Sequence, residues 1–234
     1  MNKKDVLCII EAIASDAFFK DFIIRKSDNS IICKTDYGYK RVFFWYHNGY
    51  DLQRDDLALE IRPSYDIRFN ILHKWFEKYS KRTIKDQRDT NSIGFTGNMI
   101  NSTDEICFLE SRKDYNKDLH VLHHEVVKNA DYVFSKYGTL KGYYEYRIED
   151  VLKGKREFPD TGFEWAIRFL IATKIVAPSD YDKVKELILQ RVEFMMGRDE
   201  PNTKMYYNEL PIILEDLERT DFRSGKWGSL EGIV

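Results

Sequence analysis

The 234-residue chain is 43% hydrophobic and 15% aromatic, which is ample material for a packed core and excludes an intrinsically disordered protein. Its 37 basic and 39 acidic side chains leave a formal charge of −2, so no global electrostatic field attracts nucleic acid or an anionic membrane. Neither nucleic acid nor a membrane is therefore expected as a partner.

The three cysteines indicate neither a disulfide framework nor a cysteine zinc site. Cys8, Cys33 and Cys107 are odd in number, lie far apart, and include no CxxC pair. Free thiols of this kind are typical of a reducing compartment, which predicts a cytoplasmic protein.

No targeting or membrane-spanning segment is expected. Asp5 and Glu11 interrupt the apolar N-terminal run, which is too short for a secretory signal. The most apolar later segment, 165–177, contains Arg168 and Lys174 and falls below the roughly 18 residues needed to span a bilayer.

The N-terminal half is predicted to be a helix followed by an antiparallel meander. Apolar residues recur at three- and four-residue steps from Lys4 to about Phe18, as on one face of a helix. Runs that predict strands occupy residues 22–24, 31–33, 41–46 and 57–62. Short turn-forming segments separate them, including Gln53–Asp56 before the last, so consecutive strands are expected to pair.

The two central strands predict two different faces of the sheet. In residues 57–62 the apolar Leu59 and Ile61 alternate with Glu60 and Arg62, as in a half-buried strand. Residues 41–46 have no polar face, because aromatic or branched side chains occupy both. The first helix is expected to cover the side of Leu59 and Ile61.

The segment after the last of these strands is predicted to be helical. Pro63 is expected to end the strand, because proline has no N–H for the ladder. A helical period from Ile67 to Tyr79 predicts an amphipathic helix capped by Ser64 or Asp66. Two further strands are possible at 93–96 and 106–109.

Helical patterns dominate beyond Tyr115. Helices are predicted at 119–137, 144–152 and 163–176, from a cap at Ser179 or Asp180 to Gly197, and at 208–217. Thr161 and Glu164 have the spacing of a capping box at the start of the third of them. The tail around Trp227 docks either on the body of the protein or on a partner.

The order of these elements predicts an α+β fold, with an antiparallel β-meander packed by helices and then an all-helical C-terminal half. The corresponding domains are residues 1–113 and 114–234, which also fit one continuous domain. No internal repeat or low-complexity linker divides the chain.

A histidine cluster raises the question of a metal site. His120 and His124 lie one turn apart on the flank of the helix 119–137, a spacing that can share one zinc ion. Asp131 lies about 10 Å farther along the axis, so a third ligand has to come from elsewhere. His123 falls in the apolar stripe and is expected to be a hydrogen-bonded core histidine. The alternative for the outer pair is a structural role.

Two charged groups have competing interpretations. Asp36 or Asp56, together with Glu60 and Arg62, resembles the acidic strand pair that holds magnesium in restriction-endonuclease-like nucleases, although arginine replaces the expected lysine. The alternative is the polar face of a half-buried strand. The basic residues between Lys78 and Arg88 fit either a phosphate contact or a solvated helix end.

The chain lacks a nucleophile elbow, a phosphate-binding loop and a dinucleotide-binding turn, and no cofactor is predicted. The expected function is that of a non-catalytic cytosolic binding or interaction protein whose partner is a protein or a small molecule. The predicted ligand-binding residues are Phe44, Tyr46, Glu60 and Arg62. The alternative is a metal-dependent hydrolase or nuclease that uses His120 and His124, or Asp56 and Glu60.

Overall fold

The computed structural model describes residues 3–51, 56–101, 107–109, 115–157, 162–198 and 201–234. An antiparallel sheet in the N-terminal half is followed mostly by helices, which confirms the predicted α+β class. Among the described helices, none combines the length and the hydropathy that a bilayer-spanning segment requires.

The strands are β1 (Ile23–Arg25), β2 (Ser30–Thr35), β3 (Gly38–Asp51), β4 (Asp56–Phe69), β5 (Ile93–Thr96) and β6 (Cys107–Leu109). The helices are α1 (Lys3–Ala14), α2 (Asn70–Lys74), α3 (Ile84–Asp89), α4 (Gly97–Asn101), α5 (Tyr115–Tyr137), α6 (Leu140–Tyr144), α7 (Asp150–Leu152), α8 (Phe163–Val176), α9 (Tyr181–Gly197), α10 (Pro201–Tyr207) and α11 (Leu210–Arg219). A π-helical stretch joins α6 to α7, so the predicted helix 144–152 is interrupted.

The sheet order is β1-β2-β3-β4-β5, with β6 also beside β4. This order confirms the predicted meander. Both additional strands are present, at 93–96 as predicted and at 107–109. Ile106 and most of the predicted turn Gln53–Asp56 lie outside the described residues, and Asp56 begins β4.

Pro63 does not end its strand, contrary to prediction, because β4 continues to Phe69. The partner of β4 changes at this point. Residues 59–61 pair with β6 and residues 64–67 pair with β5, so the described ladders along this edge leave Pro63 between them. A residue without an N–H is tolerated at such a gap.

The predicted second helix therefore begins later than expected. Ile67 pairs with Ile93 in the sheet, and Asp66 accepts a hydrogen bond from Arg41 at 2.7 Å, so neither Asp66 nor Ser64 caps a helix. The helical residues begin at Asn70. The apolar residues of this segment are buried as the pattern predicted: Ile71, Leu72, Trp75 and Phe76.

The chain forms two compact units. The first unit contains Met1–Arg68 and Ile93–Lys136, and the second contains Phe69–Ser92 and Tyr137–Val234. This division differs from the single boundary predicted near residue 113, which itself lies outside the described residues. The chain passes from one unit to the other three times, because residues 69–92 leave the sheet between β4 and β5.

The core of the first unit lies on one face of its sheet. The face of α1 that the periodicity predicted is fully buried, and α1 packs against β1 and β2. Leu59 and Ile61 of β4 are also buried, as predicted. The longer α5 adds the buried side chains of Leu122, Val126, Ala130 and Val133.

Helix α8 is the centre of the second unit. It spans the predicted residues and is buried on nearly every side. The C-terminal tail docks on this unit, which is one of the two alternatives that the sequence left open. Ile233 is fully buried, and its carbonyl accepts a hydrogen bond from the Leu140 N–H at 2.6 Å.

Candidate functional site

One face of the sheet in the first unit carries most of the charged and aromatic residues that the sequence singled out. Arg41 pairs with Asp66 at 2.7 Å, and His47 pairs with Glu60 at 2.5 Å. Because side chains alternate along a strand, these two pairs place Trp45 on the same face as Arg62.

An open depression of about 700 Å³ lies at this part of the sheet. It is lined by Trp45, Tyr46, His47, Arg62, Pro63, Thr96 and Asn98. Trp45 is 63% exposed, which is uncommon for a tryptophan. Its ring meets Phe43 edge to face with centroids 4.8 Å apart, so a packed neighbour holds the exposed indole in place.

Glu60 lies beneath this surface and contacts two of the residues that line the depression. The residue is only 4% exposed, and its carboxylate contacts both Arg62 Nε and His47 Nε2. A buried carboxylate is tolerated when it is paired in this way. Its contact with Nε orients the half-exposed guanidinium of Arg62 at the depression.

Phe44 is not part of this surface. It is fully buried, and strand alternation places it on the opposite face, with Val42. Of the four predicted ligand-binding residues, Tyr46 and Arg62 line the depression, Glu60 lies beneath it, and Phe44 belongs to the core. Trp45 was not among the ligand-binding residues predicted from the sequence. The pattern that could have indicated it is an aromatic side chain in a strand whose opposite face is already filled by apolar residues.

The histidine cluster gathers no metal-ligand set among the described residues, which include no group of three His, Cys, Asp or Glu side chains with suitable geometry. His120 and His124 are exposed on α5. His123 is half-buried and pairs with Asp16 at 3.1 Å, so it is not the core histidine that was predicted. The side chain of Asp56 lies outside the described residues, and Glu60 is held by Arg62 and His47.

The second unit contains a buried polar cluster that the sequence did not reveal. Its centre is Glu164, on the first turn of α8. Three side chains donate hydrogen bonds to this carboxylate, Ser80 Oγ at 3.2 Å, Arg168 Nη2 at 3.2 Å and Tyr206 OH at 2.9 Å, and Arg82 Nε forms an ion pair with it at 3.1 Å. Arg168 is itself only 3% exposed and also donates to the Asn91 carbonyl.

The environment of Tyr206 follows from this cluster. Burial raises the pKa of its phenol, and the nearby Glu164 carboxylate raises it further, although a hydrogen bond from the Lys81 N–H acts in the opposite direction. Tyr206 therefore remains a neutral hydrogen-bond donor to Glu164 at physiological pH. The sequence placed Glu164 in a capping box with Thr161, which lies outside the described residues.

A serine and a histidine form a second buried contact in the same unit. Ser92 is fully buried, and its Oγ accepts a hydrogen bond from the Phe69 N–H at 2.9 Å. The same oxygen lies 2.9 Å from Nε2 of the buried His73. Because Ser92 has no solvent exposure, this pair ties α2 to the segment before β5 and does not offer a nucleophile to a substrate.

Comparison with known proteins yields no relative: no protein-family model, no curated protein and no solved structure matches this chain.

Proposed function

We propose that the chain is a non-catalytic binding protein, and that its partner is a protein that docks on the depression around Trp45. The observation that supports the proposal is the combination of an exposed tryptophan with Arg62 in one concave surface. Tryptophan and arginine are among the residue types that most often dominate the energy of protein–protein interfaces.

The exposed indole of Trp45 can contribute a large share of the binding free energy when a partner covers it. A tryptophan side chain offers about 150–250 Å² of area, and covering about 100 Å² of it contributes roughly 2.5 kcal/mol at 25 cal/mol per Å². The Phe43 contact already restricts the ring, so little side-chain entropy is lost on binding. Such a residue fits the centre of an interface.

The polar residues around Trp45 suit the rim of the same interface. Thr96 and Asn98 offer uncharged hydrogen-bonding groups, and Arg62 has its charge compensated by Glu60. The surface therefore has no strong excess of either charge, which favours a protein partner over a polyanion.

A photo-crosslinking experiment in the source cell tests the location of the interface. A photoreactive residue at Thr96, on the depression, is compared with one at Lys128, an exposed position on α5. We expect a discrete protein adduct from position 96 that Trp45→Ala abolishes. An adduct of the same size from position 128, or one unaffected by Trp45→Ala, contradicts the proposal.

The affinity of the purified partner gives the second measurement. Trp45→Ala should weaken binding in calorimetry by at least about 2 kcal/mol, which is roughly thirtyfold in Kd. Tyr132→Ala is the matched control, because it removes an exposed aromatic ring from α5 of the same unit. Equal affinities of the two variants would show that the depression is not the interface.

A further inference from the structure

A cavity of about 220 Å³ opens beside the Glu164 cluster in the second unit. It is lined by Lys81, Arg82, Gly162, Phe163, Glu164, Trp165, Met205 and Tyr206. This cavity is separate from the depression around Trp45, and its lining combines cationic, aromatic and backbone groups. These groups indicate the chemistry of a ligand.

Arg82 provides the first of these groups, a guanidinium that lines the cavity. Its Nε lies 3.1 Å from a carboxylate oxygen of Glu164, which forms an ion pair with the guanidinium. Its two Nη atoms have no carboxylate or carbonyl partner among the described residues, although Arg82 lines the cavity. A guanidinium held at Nε with both Nη atoms available is suited to a two-point contact with a carboxylate or a phosphate.

The charge balance supports an anion. Arg82 and Arg168 both contact the single carboxylate of Glu164, so this cluster carries a net charge of +1. Lys81 also lines the cavity, and its Nζ is paired with Glu209 at 2.6 Å. An entering anion therefore meets the half-exposed guanidinium of Arg82 next to the buried pair of Arg168 and Glu164.

The start of α8 adds backbone donors to the same wall. Gly162 is the N-cap of this 14-residue helix, and within the described part of the chain no side chain caps it. The first N–H groups of a helix carry partial positive charge and favour anions. Gly162, Phe163 and Glu164 all line the cavity, so this terminus and Arg82 face the same space.

The remaining wall is aromatic. Phe163 and Tyr206 stack with ring centroids 4.8 Å apart and planes only 9° from parallel, and Trp165 lines the cavity beside them. Apolar walls with a few convergent polar groups are typical of sites for small organic molecules. We propose that this cavity binds a small aromatic anion, whose carboxylate or phosphate group contacts Arg82 and the N-terminus of α8.

Calorimetric titration of the full chain with simple probes tests the site. Benzoate and phenyl phosphate supply the two anionic groups, and benzamide is the neutral match for benzoate. We expect saturable binding of at least one anion and none of benzamide. Arg82→Gln should weaken that binding at least tenfold, whereas Arg88→Gln, on the exposed face of the neighbouring α3, should leave it unchanged.

A second variant separates binding from folding, because Arg82→Gln also removes a contact to Glu164. Gly162→Asp places a carboxylate at the helix N-terminus, where aspartate is a favourable cap. The backbone there has φ of −63°, and no described heavy atom lies within 4 Å of the added Cβ. We expect an unchanged or higher unfolding temperature together with at least tenfold weaker anion binding.

Three results would overturn the assignment: no saturable binding of either anion at millimolar concentration, equal binding of benzamide, or wild-type anion affinity in Gly162→Asp. Failure of this site would leave the proposed protein interface untouched, because the two rest on different units and different probes.

Discussion

Removing the carboxylate of Glu164 should strongly destabilise the second unit. Arg168 is 3% exposed, and in Glu164→Leu its guanidinium loses the carboxylate that it contacts at 3.2 Å. Leaving one charge of a buried pair uncompensated costs about 3–5 kcal/mol. Replacing both Glu164 and Arg168 by apolar residues removes the two charges together, so the double variant avoids the cost of one uncompensated buried charge.

A matched control is available on another helix of the same unit. Glu215 and Arg219 form a pair with the same i,i+4 spacing on α11, but both side chains are exposed. Glu215→Leu should change the free energy of unfolding by no more than about 0.5 kcal/mol, because exposed ion pairs contribute little. The comparison isolates the effect of burial from that of residue type and spacing.

Urea unfolding measured by tryptophan fluorescence gives the free energies. In a Trp45→Phe background the other three tryptophans, Trp75, Trp165 and Trp227, all lie in the second unit. Glu164→Leu with Arg168→Met should recover at least about 2 kcal/mol relative to the sum of the single changes. A loss below about 1 kcal/mol in Glu164→Leu, or strict additivity in the double variant, would refute the reasoning.

Three further predictions concern the second unit. Ser92→Ala removes a fully buried oxygen that accepts a hydrogen bond from a backbone N–H and contacts His73. The change should lower the free energy of unfolding by about 1–3 kcal/mol in the same urea assay. A loss under about 0.5 kcal/mol, the size of a typical surface change, would contradict this structural role of Ser92. Burial, and next the hydrogen bond and charge of Asp216, raise the pKa of Tyr79 to about 12. Asp216→Asn should lower that pKa toward 10.0 in an alkaline absorbance titration, and no change would contradict the contact. Burial opposes ionisation of Asp216, but hydrogen bonds from Lys78 and Tyr79 outweigh it and lower its pKa. The stabilisation is therefore present above pH 3.8 and is lost as the pH falls through the lowered pKa, which acid unfolding of wild type and Asp216→Asn measures.

Local periodicity predicted the elements whose burial depends on near neighbours in sequence. The apolar faces of α1, α5 and α8 are buried where the three- and four-residue spacing placed them. Strand β5 also matches its predicted residues. In each case the signal lies within the element itself, since the spacing of side chains determines which face is apolar.

Features that depend on distant partners were not predictable in the same way. Pro63 lies inside a strand because the partner of β4 changes there, and that change is set by strands more than 25 residues farther along the chain. Two of the donors to Glu164, Ser80 and Tyr206, lie 84 and 42 positions away, on other segments of the second unit. A single acidic residue on an apolar helix does not identify such partners.

The residues of the candidate surface were also only partly predictable from the sequence. Alternation puts Phe44 and Trp45 on opposite faces of β3, and Glu60 with Arg62 on one face of β4. The relation between the two strands depends on their register, which a one-residue shift would reverse. The contacts of Arg41 with Asp66 and of His47 with Glu60 show that register, and with it the place of Trp45 beside Arg62.

The passage of residues 69–92 into the second unit also limits how the protein can be divided. A truncation after Lys136 would keep all the described strands of the sheet but retain a segment whose apolar side chains, Ile71, Leu72, Trp75 and Phe76, belong to the other core. Such a fragment should aggregate. Replacing 69–92 by a short hairpin turn between the antiparallel β4 and β5 should give a soluble first unit, so the two units are separable only by excision.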